Sequence, residues 1–143
     1  MSIWKRELDF SLLNNRGEDT LVQQLGMEVV AVDDGSLSMS MPVDHRTHQP
    51  LGLLHGGASV ALAESVGSLA ANLCVDYDHY CVGVEINANH LRAKRSGVVT
   101  GKASPLHLGG TTQVWQIEIR DEKERLVCMS RLTMAVRKHK GKV

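Results

Sequence analysis

The chain has 143 residues, 43% hydrophobic and 22% charged, which suits one domain with its own core. Sixteen Lys and Arg balance 16 Asp and Glu, so no basic excess or charge run points to a nucleic-acid partner. Cys74, Cys81 and Cys128 are odd in number and lack tight spacing, and the N-terminus lacks a signal peptide's apolar core. Those features exclude a disulfide framework and predict a reduced, cytoplasmic protein.

Residues 1–19 carry no recognisable pattern and read as an N-terminal segment ahead of a single domain over 20–137. A short helix is predicted around Glu18 to Leu25. Met27 to Val32 is β-rich and runs into Asp33-Asp34-Gly35, which is turn chemistry. Leu37, Met39 and Met41 then alternate with Ser36, Ser38 and Ser40, so the two runs form a hairpin with one apolar face. Residues 42–54 hold two of the three prolines and read as a loop.

From Gly56 to about Leu73 the period becomes helical. Leu62, Val66, Leu69 and Leu73 make a bulky stripe for the core. Gly57, Ala61, Glu64, Ser68 and Ala71 make a small-residue stripe roughly 150° around the axis. Residues 53–75 are apolar enough to raise the question of a membrane span, but Glu64, Asn72 and the many Gly, Ala and Ser assign them to a buried helix.

Val82, Val84, Ile86, Ala88 and His90 alternate with polar or small residues, as in a strand. Further strands are predicted at about Val98 to Ser104, around Trp115, Ile117 and Ile119, and from Val127 to Val136, with a turn at Asp121 to Glu124. The basic end, residues 138–143, reads as a solvated tail. The fold class is α+β, an antiparallel sheet with one long helix packed on its face.

Glu64 is the one ionised side chain between His55 and Asp76. Burying a lone carboxylate is costly unless it is paired or used, so Glu64 is either a satisfied core residue or a catalytic group. Gly56 and Gly57 open the same helix, where unpaired N–H groups and the helix dipole suit a polarised carbonyl. Tight packing of helix on sheet explains the two glycines equally well. Gln49 and His55, just upstream, can add polar contacts. Gly56 and Glu64 are eight residues apart, about 12 Å along a helix, whereas reacting groups must approach to about 3 to 3.5 Å. One helix cannot serve one carbonyl with both. If both act together, Glu64 comes from another subunit, and a two-fold dimer carries two shared sites.

Gln49 to Ala58, with Ala63-Glu64-Ser65, Glu85 to Arg92 and Pro105 to Gly109, resembles the hotdog-fold acyl-CoA thioesterases over roughly residues 20–137. The pattern is similar to the Glu-dependent hydroxybenzoyl-CoA branch, which includes phenylacetate-pathway enzymes. Within it, the nearest resemblance is to enterobacterial enzymes for dihydroxynaphthoyl-CoA in menaquinone synthesis and for misacylated aryl carrier protein in enterobactin synthesis. The resemblance implies a sheet wrapped around a central helix and a homo-oligomer, a dimer of dimers, acting on acyl-CoA without metal or cofactor. It implies Glu64 as nucleophile or general base, Gly56 as the carbonyl's N–H donor, and Gln49 and His55 as orienting groups. It places Ser68 beside the water or substrate, and His90 and Arg92 among acyl or coenzyme A contacts.

Other readings stand beside these. His90 can be a hydrogen-bonded core histidine, and Arg92, Lys94 and Arg95 can be solvated or can meet coenzyme A phosphates. His45, His48 and His55, or Cys74, His79 and Cys81, lack the spacing of a zinc site, and no G-x-S-x-G elbow offers a serine nucleophile. Carrier-protein proofreading, acyl-CoA binding without catalysis, and hydration of enoyl thioesters are the alternative functions.

Overall fold

Two short helices precede the sheet in the computed structural model, which describes residues 1–141. Helix α1 (Phe10–Asn15) is capped by Asp9, whose carboxylate accepts from the N–H groups of Ser11 and Leu12. Helix α2 (Leu21–Gln24) is capped by Thr20. It is shorter than the stretch from Glu18 to Leu25 predicted, because Asp19 adopts φ 60° and breaks the chain's path just before the cap. Helix α1 escaped the sequence reading; its signal is the Asp9 cap itself. The segment is anchored to the sheet and helix behind it. Lys5 N–H donates to Leu73 O, and the Arg6 guanidinium donates to the carbonyls of Val75, Asp76 and His79.

Strands β1 (Glu28–Val32) and β2 (Leu37–Pro42) form the predicted hairpin, closed by Asp33, whose side chain accepts from Gly35 N–H. The long helix α3 spans Gly56–Leu73, as its periodicity predicts. Strands β3 (His79–His90), β4 (Val98–Leu108), β5 (Thr112–Asp121) and β6 (Leu126–Lys138) follow. Strand β4 runs past its predicted end at Ser104 through a bulge between Pro105 and His107, where proline cannot donate to the ladder. All strand pairs are antiparallel, and the six-stranded order is β1-β2-β4-β5-β6-β3. Helix α3 packs on five of them, β2 to β6, so the sheet wraps around it.

The core lies between α3 and the concave sheet. Strand β5 alternates strictly, turning Trp115, Ile117 and Ile119 inward, where they meet Leu132 and Met134 of β6 and Leu62 and Val66 of α3, all fully buried. Removing this apolar surface from water is the main term holding helix to sheet. The approach is close because α3 is made of small residues. A Cβ on Gly67 would lie 2.6 Å from Leu132 Cδ2.

Three expectations change. Leu69, placed in the core stripe, is half-buried beside Glu64, whereas Ala71, placed on the small face, is fully buried. The wrapped sheet covers a wider arc of helix than a flat one, and it selects small side chains there. The alternation of Val82 and Val84 does not point inward either: both are exposed, because Gly83 between them faces Glu64 and its neighbours turn to the other face of the sheet. Of the basic tail, Lys138 ends β6, and residues 142–143 lie outside the described residues. Among the described residues, no helix is long and apolar enough to cross a membrane.

Candidate active site

The start of α3 is built around His55. Its Nδ1 accepts from Gly57 N–H at 2.7 Å, and its own N–H donates to Thr47 O at 2.8 Å. With Nδ1 an acceptor, the neutral ring carries its proton on Nε2. The cap consumes the Gly57 donor, so of the glycine pair only Gly56 N–H is left without a protein partner among the described residues. A Cβ on Gly56 would sit 2.9 Å from His90 Nε2. Glycine is therefore what lets the His90 ring, at the end of β3, lie against the helix start.

Gln49 occupies the preceding loop. Its N–H donates to Leu53 O at 2.8 Å, and its side-chain Oε1 accepts from Leu51 N–H. The side-chain oxygen is thus held by the loop, and the Nε2 amide is the end that remains to donate. Gln49, Gly56, His90 and Arg92 line one cleft of about 400 Å³ with Leu54 and Ser59. His90 is exposed rather than a core histidine, while His55 stays outside the lining. Arg92 is exposed at the cleft; Lys94 is instead paired with Glu122, Nζ to Oε1 2.6 Å, which holds the Glu122 carboxyl below its ordinary range.

Glu64 and Ser68 are not in that cleft. They line a second pocket of about 510 Å³ with Arg16, Val22, Ser65, Leu69 and Asn72. Glu64 is half-buried and makes no ion pair among the described residues. Its Oε2 occupies the space that a Cβ on Gly83 would fill, so the edge strand leaves room for the carboxylate by omitting a side chain. Asn72 then ties the two elements together. Its Oδ1 accepts from Cys81 N–H at 2.8 Å, and its Nδ2 donates to Ser68 O at 2.8 Å and Cys81 O at 3.2 Å.

Gly83, Asn72, Leu69, Ser65, Val22 and Arg16 are site residues that sequence reasoning missed. Asn72 alone had a visible signal, since Glu64, Ser68 and Asn72 fall at steps of four on one helix face. Gly83 and Arg16 come from other elements and carry no local pattern. The cysteines take no part in either pocket: burial pushes the Cys74 thiol up to about 12 and raises those of Cys81 and Cys128. Such thiols hold their protons and are poor nucleophiles.

Comparison with known proteins adds the family. The thioesterase superfamily model matches residues 51–128, which contain α3 and both glycines. The 1,4-dihydroxy-2-naphthoyl-CoA hydrolase of Escherichia coli is 55% identical over 134 residues, covering 94% of this chain and 98% of that protein. The proofreading thioesterase EntH of Klebsiella pneumoniae is 50% identical over 133 residues, covering 93% and 97%. Among solved structures, a thioesterase from Haemophilus influenzae superposes with a TM-score of 0.94 at 50% identity, covering 95% of each chain. A variant thioesterase from Pseudomonas aeruginosa gives 0.95 at 52% identity, covering 96% and 100%. A single helix inside a six-stranded antiparallel sheet, matched this closely along nearly the whole chain, makes the protein a hotdog-fold member of the thioesterase superfamily.

Proposed function

We propose that this thioesterase hydrolyses aromatic acyl thioesters of coenzyme A, of the 1,4-dihydroxy-2-naphthoyl-CoA type used in menaquinone biosynthesis, at sites shared between two subunits. The observation that carries it is the separation of the Gly56 cleft from the Glu64 pocket. Each holds half of an acyl-transfer site, and the helix length keeps the halves apart within one chain.

In this reading Gly56 N–H polarises the thioester carbonyl, and the free amide of Gln49 helps to hold it. His55 fixes the helix start, so that the Gly56 donor points outward. Glu64 of the second subunit attacks the carbonyl carbon directly or takes a proton from an attacking water. The carbon–sulfur bond breaks and the sulfur leaves as a thiol after protonation; water supplies the oxygen of the carboxylic acid, either directly or by cleaving the acyl–Glu64 anhydride that direct attack forms, which restores the carboxylate. Ser68 stands one turn from Glu64, where it can hold the water or the acyl group. His90 and Arg92 line the route of the coenzyme A arm, where the guanidinium suits phosphate. The chemistry requires neither metal nor cofactor.

The edge strand supports the dimer. Strand β3 has β6 on one side only, carries exposed Val82 and Val84, and passes Glu64 at Gly83. A second copy added there continues the sheet and brings its own helix start near Glu64. Two such dimers form the proposed tetramer, working in the cytoplasm. We take residues 20–137 as the catalytic domain, with 1–19 as an N-terminal segment.

Replacing the carboxylate tests the chemistry. Glu64→Gln should lower release of coenzyme A from benzoyl-type thioesters by about 10³-fold while the protein stays folded; wild-type rates would overturn the mechanism. A second reading, proofreading of acyl groups on a carrier protein, is favoured by the 50% identity to EntH. It uses the same chemistry on a phosphopantetheine arm. Direct binding and turnover of an aryl carrier-protein thioester distinguish it from the coenzyme A reading.

A further inference from the structure

The Glu64 pocket has a wall that lies outside the residues matched by the family model. Residues 51–128 are matched, yet Arg16 and Val22 line the pocket from α1's C-terminal cap and from α2. Five of its seven lining residues carry polar side chains, Arg16, Glu64, Ser65, Ser68 and Asn72, beside Val22 and Leu69, although apolar atoms make the larger part of the surface.

The state of each polar group narrows what the pocket can recognise. Asn72 is spent, with its amide and carbonyl all engaged to Ser68 and Cys81. Glu64 is reserved for the reacting carbon in the reading above. The hydroxyls of Ser65 and Ser68 have no hydrogen-bond partner among the described residues, and Arg16 makes no ion pair there. Arg6, the other arginine of the same segment, is by contrast engaged by three backbone carbonyls and the Tyr77 ring. Arg16 is therefore the one cation available to the pocket, and its guanidinium is a donor only.

We propose that Arg16 is a specificity-determining residue, which reads an oxygen substituent on the acyl group from the far side of the pocket. The proposal rests on the thioesterase reading given above. A hydroxyl, phenolate or carboxylate oxygen on the acyl ring accepts from the guanidinium, while an unsubstituted ring leaves the guanidinium with solvent. The N-terminal segment then tunes acyl choice on a domain whose catalytic residues lie elsewhere.

The test is the ratio of kcat/KM on hydroxybenzoyl- and dihydroxybenzoyl-CoA to that on benzoyl-CoA, in wild type, Arg16→Ala and Arg16→Lys. The expected result is a wild-type preference for the hydroxylated esters that falls about tenfold in R16A, the worth of a charge-assisted hydrogen bond, and is partly kept in R16K. A ratio unchanged by R16A overturns the proposal, even if both rates fall together, as does a wild type without preference. Failure of the wild type to cleave any of these esters overturns the thioesterase reading itself and is seen before any variant is made.

Discussion

Glu64 owes its position to a residue it does not resemble. Its Oε2 fills the space beside Gly83, so any side chain there competes with the carboxylate. The clash involves the far end of a flexible side chain, which can swing away at little cost to the fold. Gly83→Ala should therefore lower kcat by about a hundredfold, the cost of misplacing a reacting group by about 1 Å. Thermal unfolding should move by no more than a few degrees. Steady-state kinetics beside a melting curve checks this; a full-rate G83A enzyme would show that the carboxylate's present position is not the working one. The same scale explains why the glycine pair is unequal. Gly57 gives its N–H to the His55 cap, and Gly56 N–H has no protein partner among the described residues.

At the scale of elements, turns and the long helical period were the most legible features, because their chemistry is local. The bounds of α3 followed from its periodicity, and the Asp121 to Glu124 turn from its polar run. That turn closes β5 on β6 through a nearly buried carboxylate. Burial pushes the Asp121 pKa up, but the Arg125 N–H and guanidinium and the Lys123 N–H outweigh it and hold it at about 2. The folded value thus lies below the ordinary 3.8, so the turn's contribution is complete above about pH 4 and is lost as pH falls through 2. Asp121→Asn should be less stable at neutral pH and should show a shallower loss of stability between pH 4 and 2, measured by denaturant titration at each pH. An unchanged acid slope would mean that other carboxylates carry it. Strand β3 was the least legible element, because its apolar alternation is that of a buried strand although it is an edge.

For the whole molecule, the proposal that the Gly56 cleft and the Glu64 pocket are halves of one site requires a second copy of the chain. Mixing a Gly56-site variant such as Gly56→Val with Glu64→Gln should restore activity in hybrids, since each hybrid dimer keeps one intact site. With random mixing, about a quarter of wild-type activity is expected, read in thiol-release assays after hybrids are verified by native mass spectrometry. Hybrids that form but stay inactive would contradict shared sites.

What the sequence determined by itself was local and periodic. The helix, its lone carboxylate, the glycines at its start and the alternation of β5 follow from spacing and side-chain chemistry. The 12 Å argument needed only helix geometry. What tertiary structure decided was long-range: the far-edge position of β3, Gly83 facing Glu64, the Asn72 clamp, and Arg16 arriving from a segment without pattern. These contacts join residues that no period connects, and they arise when the sheet curls around the helix to bury Leu62, Val66 and Ala70. The identity of a residue states what it can do; only packing states which residue it does it to.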